Sequence, residues 1–340
     1  MTSDAAGGRR TLAVAAASGI AMLAVSIAAC GGSGDAGLAR AAGVGSAGSS
    51  STGPASSGSA SAGSASAGSA FSGVGASASA STGSGSSPGG PTAAGAERAD
   101  PFTTVQAYLA QRSGTVLAAV YDVRTGQSWR LGDGPAQDEA SVVKLDILES
   151  LLSESGGTGL SAGNQGLAGQ MIKDSDNDAA TSLWYAAGGT AGLAAYDDRA
   201  GLTRTTPSAC VVCADFPWPG WGLTTTVPYD QITLLKQLIR PGPLLTADER
   251  QYALSLLENV TPSQAWGVSG GVPAGVTVAL KNGWLPLNDD HSDWQVNSEG
   301  WVSGDGRDYL ISVLTTGNPT EQYGIDTIGE LSALIWTQLR

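Results

Sequence analysis

The sequence predicts an α+β fold: an antiparallel sheet formed from both chain ends, flanked by helices and completed by an all-helical insert. Three observations predict it. Beyond residue 100 the apolar patterning runs helix, two strands, many helices, three strands, helix, so strands from both ends must meet in one sheet. All nine Trp and all eight Tyr fall in that region, enough large side chains for a core. Residues 31–98, by contrast, are almost entirely Gly, Ala and Ser. Such a segment cannot bury enough apolar surface to offset its ordering entropy and reads as a disordered linker. The predicted globular domain is therefore 99–340, an ordinary size for one unit.

The elements follow in order. Phe102, Val105, Tyr108 and Leu109 recur at helical spacing. "TVLAAVYDVRTGQSWRLG" reads as two strands around the turn Arg124-Thr125-Gly126. In "EASVVKLDILESLL", Val142, Val143, Leu145, Ile147, Leu148, Leu151 and Leu152 make a helix too apolar for a surface position. "QGLAGQMIKDSDNDAATSLWYAAGG" gives a helix, a polar break and a second helix. Leu202 to Trp221 is irregular and holds Cys210 and Cys213. Helical patterns return at "YDQITLLKQLI" and "TADERQYALSLLENV". "VTVALKNGW", "DWQVNSEGWVSG" and "RDYLISVLTTG" alternate as three strands, and "IDTIGELSALIWTQL" closes the chain as a helix.

The first 30 residues read as a secretory signal: Arg9 and Arg10, an uncharged apolar run, then small residues. "SIAAC" followed by "GG" resembles a bacterial lipobox, which implies cleavage before Cys30 and lipidation of its thiol. The linker then becomes a tether, with a root-mean-square span of roughly 45 Å for a flexible coil of its length. The expected location is the outer face of a bacterial membrane, with the domain reaching into the cell-wall zone as a monomer. A formal net charge of −13 argues against nucleic acid as a partner, because phosphate binding needs a basic surface.

Three short motifs carry candidate chemistry. Ser141 and Lys144 share a helical face, and their apolar surroundings would desolvate the amine and make it a usable base. Ser175-Asp176-Asn177 lies in the polar break, where the ordinary reading is a helix N-cap. Lys281-Asn282-Gly283 closes an apolar strand, where the ordinary reading is entry into a turn. Together and in this order they resemble the S-x-x-K, S-D-N and K-T-G triplet of the penicillin-recognising serine enzymes. "VYDVRTGQSWRLGDGPAQDEASVVKLDILESLL", "MIKDSDNDAATSLW" and "TTTVPYDQITLL" are similar to the corresponding segments of class A β-lactamases.

That resemblance implies a β-lactamase/transpeptidase-like serine hydrolase needing no metal or cofactor. Ser141 would be the nucleophile, Lys144 its base, and Ser175 the proton donor to the leaving nitrogen. Asn177 would bind the acyl-side amide, and Lys281 with Asn282 and Gly283 the substrate carboxylate. The backbone N–H groups of Ser141 and Trp284 would form the oxyanion hole. Expected substrates are β-lactams or related acyl-amides of peptidoglycan type. The chain departs from the family in K-N-G for K-T-G and in a shortened interval from Ser141 to Ser175. It departs also in "TTPSACVVCADFPWPGWGL", which contains no glutamate to activate a deacylating water. Asp215 is the one carboxylate there. Two other readings stay open: a slow-turnover penicillin-binding sensor or sink, and a cell-wall D-Ala peptidase or esterase on the same scaffold.

Cys210 and Cys213 outside the cytoplasm read as a local disulfide. Zinc held by this pair and His291 would want a fourth ligand that is not evident. His291 itself, in "LNDDHSDW", reads as a solvated turn residue. Gly267-Val268-Ser269-Gly270-Gly271 matches G-x-S-x-G but lacks the strand–turn–helix setting of a nucleophile elbow. Trp218, Trp221 and Trp284 are candidates to line a groove.

Overall fold

The computed structural model describes residues 99–340 apart from 214–217. The signal segment, Cys30, the 31–98 linker and Asp215 lie outside the described residues. A five-stranded antiparallel sheet has the order β2-β1-β7-β6-β5. Its strands are β1 (Thr115–Asp122), β2 (Ser128–Leu131), β5 (Thr277–Pro286), β6 (Trp294–Gly304) and β7 (Arg307–Asn318). β1, from the start of the domain, pairs along its whole length with β7, from the end. The sheet is thus closed by both ends of the domain, as the order of apolar patterns required. A two-residue pair, β3 (Gln137–Asp138) with β4 (Thr225–Thr226), lies apart from it.

One face of the sheet packs on α1 (Phe102–Leu109) and α8 (Glu321–Gln338). Phe102, Val105, Ile328, Leu331 and Ile335 meet Val120, Ile311 and Val313 there, all fully or nearly fully buried. The other face carries the helical part: α2 (Val143–Glu154), α3 (Ala162–Lys173), α4 (Asn177–Ala186), α5 (Gly189–Ala200), α6 (Pro228–Ile239) and α7 (Ala247–Leu257). With helices on both sides, β7 is buried along most of its length, and its apolar residues Tyr309, Leu310, Ile311, Val313 and Leu314 serve both faces.

Two elements differ from the sequence reading. α5 was not foreseen, because "GTAGLAAYDDRA" has a weak apolar stripe. The chain enters it through Gly188 at φ 90°, and Gly192 leaves no room for a side chain: a Cβ there would stand 1.7 Å from the Ala187 carbonyl oxygen. Lys281-Asn282-Gly283, read as a strand end, lies in mid-strand. β5 runs on to Pro286, with Lys281 opposite Glu299 and Gly283 opposite Asn297.

Candidate active site

Ser141 does not sit in the α-helix that its spacing suggests. It occupies a short 3-10 turn, Ala140–Val142, and α2 begins at Val143. Ala140 is at φ 52°, a left-handed conformation that costs a β-carbon residue energy and that the surroundings must hold. They do so through the preceding backbone. Asn297 donates from its amide to the carbonyls of Asp138 (2.8 Å) and Glu139 (3.0 Å), and Gln295 donates to Asp138 (2.8 Å). The Glu139 N–H donates to the Thr224 carbonyl (2.8 Å). On the far side Gly283 lets β5 come against the turn: a Cβ there would lie 2.6 Å from the Ser141 nitrogen and 2.8 Å from the Glu139 oxygen. The serine turn is thus held by β5, by β6 and by the Thr224 carbonyl, just ahead of α2.

Lys144 is completely buried and makes the central contacts. Its Nζ stands within hydrogen-bond distance of four oxygens: it can donate to the Ser175 carbonyl (2.6 Å) and Asn177 Oδ1 (2.7 Å), and as a neutral amine accept from the hydroxyl of Ser141 (Oγ 2.9 Å) or Ser175 (Oγ 3.1 Å). Lys281, 1% exposed, donates to Ser175 Oγ (3.0 Å) and to the carbonyl of Asn282 (2.7 Å). One hydroxyl therefore joins two buried amines. Desolvation first, then the positive charge of Lys281, pushes Lys144 down to about 6, against a smaller opposing pull from Asp176. Desolvation brings Lys281 down to about 7, with Glu299 acting the other way. Trp221 lies beside this pair, its ring centre 5.1 Å from Lys144 Nζ.

The Ser-Asp-Asn segment serves both readings of its sequence. Asp176 caps α4 by accepting from the Ala179 N–H (2.7 Å), the ordinary N-cap contact. Ser175, at φ 58°, and Asn177 are turned by that same cap towards Lys144. The local helix start and the polar cluster are one structure.

A cleft of about 230 Å³ opens beside Ser141, lined also by Asn177, Trp218, Trp221, Trp284, Trp294 and His291. His291 is the exposed turn residue its sequence predicts, at φ 54°, and it also stands edge-on to Trp294 at the rim of this cleft. Trp294 was not singled out in the sequence at all, and its position opposite Pro286 on β6 is what brings it here. Asn282 is not brought to the cleft. It is 1% exposed, and its amide donates to the carbonyls of Gln264 (2.7 Å) and Trp266 (3.3 Å), because its place on β5 turns it away from Ser141. That corrects its expected role on the substrate carboxylate. Cys210 and Cys213 are joined as a disulfide, and the Gly220 N–H donates to the Cys210 carbonyl (2.8 Å), bracing the 3-10 turn Gly220–Leu223 that carries Trp221. Gly267–Ser269, the G-x-S-x-G match, is a 3-10 turn packed on α8.

Beneath the nucleophile turn lies a group the sequence reading missed. Glu139, Asp146, Glu149 and Glu299 are completely buried, and Asp197 is 2% exposed. Desolvation raises all five; repulsion from neighbouring carboxylates adds to it, while at Asp146 contacts with Glu139 and Gln231 pull the other way, leaving Asp146 at about 7 and Asp197 at about 9. Tyr196 donates to Glu149 and Gln231 to Glu139 (3.2 Å).

Residues 154–339, more than half of the chain, match the Beta-lactamase enzyme family. The matched span begins after Ser141 and Lys144 and takes in Ser175, Asn177 and Lys281. The "Putative lipoprotein LppW" of Mycobacterium bovis and that of Mycobacterium tuberculosis are each 30% identical over 209 residues, 58% of this chain and 62% of theirs. The chain thus spans less than two thirds of the length of these relatives. Among solved structures, a β-lactamase from Chitinophaga pinensis aligns with TM-score 0.61 and 19% identity, over 70% of this chain and 98% of that one. TLA-1 extended spectrum β-lactamase aligns with TM-score 0.59 and 16% identity over the same 70% and 98%. PBP-A aligns with TM-score 0.58 and 20% identity, over 70% and 94%. At these identities the likeness is one of fold.

Proposed function

The chain belongs to the β-lactamase enzyme family, and on that premise we propose that it is a serine acyl hydrolase that forms an acyl-enzyme through Ser141 with β-lactams or related acyl-amides. The observation that carries the reading is the Lys144 amine, buried, lowered to about 6, and in hydrogen-bond contact with Ser141, Ser175 and Asn177 together. A serine hydroxyl needs a base, and an amine that is neutral at pH 7 and 2.9 Å away is one. Lys144 takes the Ser141 proton as Oγ attacks the carbonyl carbon. Ser175, held between both lysines, passes a proton to the leaving atom. The Ser141 and Trp284 N–H groups receive the oxyanion, and the close approach of Gly283 to Ser141 supports that pairing. Asn177 holds the acyl side. Cys30 is proposed as the lipid anchor, with 31–98 as the tether of the 99–340 domain.

Release of the acyl group is the slow half of this scheme. Among the described residues that line the cleft there is no carboxylate to activate water. This favours the second reading, a protein that acylates and remains acylated for long periods. Intact mass of the protein mixed with benzylpenicillin, followed over hours, separates the two. A persistent adduct absent from Ser141→Ala is expected. A wild-type protein that never gains the adduct with any β-lactam or acyl ester would overturn the proposal.

A further inference from the structure

The cleft beside Ser141 is built for apolar carbon. Its walls are Trp218, Trp221, Trp284 and Trp294 with Leu285 and Pro286. Three of the four indole N–H groups are already committed to the protein. Trp218 donates to Asp178 (3.1 Å), Trp221 to Thr181 (3.2 Å) and Trp294 to the His291 carbonyl (2.8 Å). The ring carbons of Trp221, Trp284 and Trp294 are what the wall offers a ligand. Trp284 is steadied by Trp266, with ring centres 5.8 Å apart. The polar side chains at the wall are Ser141, Asn177 and His291, and no carboxylate, ammonium or guanidinium stands among the described lining residues. A planar hydrocarbon can lie against these ring faces without needing polar partners the wall lacks.

The cleft also lies on one side of the nucleophile. It touches Ser141 and Asn177 but neither Ser175 nor Lys281, so with Ser175 as donor to the leaving atom it receives the acyl group. On the leaving side, an anion finds little. Lys281 is buried and engaged with Ser175 and the Asn282 carbonyl, and the Asn282 amide is spent on Gln264 and Trp266. A net charge of −13 further opposes the approach of anions.

We infer that the preferred substrate is a neutral ester or amide with a large apolar, best aromatic, acyl group and a leaving group that carries no carboxylate, a conclusion that rests on the serine acyl-hydrolase reading. In the first step the Ser141 Oγ–carbonyl carbon bond forms and the bond to the leaving oxygen or nitrogen breaks. The Ser141 proton moves to Lys144, and Ser175 delivers one to the leaving atom. Water later cleaves the acyl-serine ester to a carboxylic acid and restores Ser141.

The test uses the full chain and three esters: 4-nitrophenyl phenylacetate, 4-nitrophenyl acetate, and 3-carboxy-4-nitrophenyl phenylacetate. The acylation rate constant is read from nitrophenolate release and divided by each ester's rate in buffer alone. The phenylacetate is expected to react at least about tenfold faster than either of the others, the scale on which an apolar pocket discriminates. Trp284→Leu and Trp294→Leu should each shrink the phenylacetyl-to-acetyl ratio towards one. Should either variant fail to fold, the wild-type ratios still decide. Labelling of Ser141 with equal rates for the neutral and carboxylate esters, or for phenylacetyl and acetyl, would overturn this inference alone. No labelling of Ser141 by any of the three would overturn the serine reading, and this inference with it.

Discussion

The two sides of the nucleophile turn make opposite use of the same physical condition. On one side, Lys144 and Lys281 are buried and lowered to about 6 and about 7. On the other, Glu139, Asp146, Glu149, Asp197 and Glu299 are buried and raised. Desolvation is the largest cause in every case, and it drives both sets towards neutrality. What differs is the company each keeps. The amines share hydroxyls and carbonyls, with Ser175 between them, so their neutral forms face a reacting group. The carboxyls share chiefly one another, and both oxygens of Asp197 and Glu299 lack a fixed donor among the described residues. Burial costs stability on both sides and makes chemistry only on the first.

The largest effects should come from breaking the amine side. Lys144→Met keeps the bulk and removes the base, and adduct formation at Ser141 should fall about 10³-fold, within the usual range for a general base. Loss of less than tenfold would assign the proton elsewhere. In the wild-type protein the acylation rate should climb with pH through about 6 and level off as Lys144 becomes neutral. Lys281→Met removes a positive neighbour that lowers Lys144, so that limb should move to higher pH. A limb that stays in place would show that Lys281 does not act on the base.

Much of this was legible in the sequence. The fold class follows from the order of periodicities, since no other pairing of two early strands with three late ones closes a single sheet so simply. Ser141, Lys144, Ser175, Asn177 and Lys281 could be picked out because short motifs fix local spacing, and the structure brings all five together. Asn282 could not be placed, because its direction depends on strand pleat and register, which one short motif does not state. Trp294 was missed because it reaches the cleft through a cross-strand partner. The acidic group was missed for another reason. A helix apolar enough to be buried on most sides must bury its charged residues too, and Asp146 and Glu149 lie in the middle of it. That signal was present.

Stability against pH sharpens the acidic side. A carboxyl whose folded value is raised stays protonated in the fold while the unfolded chain ionises above about 4. Its contribution is full below that value and is lost as pH rises towards about 7 for Asp146 and about 9 for Asp197. The two lowered lysines act with opposite sign: their contribution is full above about 10.4, the unfolded value, and is lost as pH falls to about 7 and about 6. Between pH 4 and 6 the carboxyls act almost alone, so the melting temperature should fall as pH rises there and fall less steeply above 7, where the lysines oppose them. Glu299→Gln removes one such carboxyl, and should reduce the slope by about 1.4 kcal/mol per pH unit. A variant with the wild-type slope would show that Glu299 ionises freely within the fold.

The smallest effect belongs to the disulfide, which among the described residues reaches the amine side through the turn that carries Trp221. Closing so short a loop removes little chain entropy, so the double change Cys210→Ser, Cys213→Ser should cost less than about 2 kcal/mol in thermal unfolding. The 3-10 turn Gly220–Leu223 keeps its bond from the Gly220 N–H to the Cys210 carbonyl, and Trp221 keeps its bond to Thr181. Lys144 therefore retains its desolvating neighbour, and adduct formation at Ser141 should change less than about threefold, under 1 kcal/mol of barrier. A loss as large as that of Lys144→Met would mean that the two sulfurs, and not the packing of α2 and α4, hold the base in its buried position.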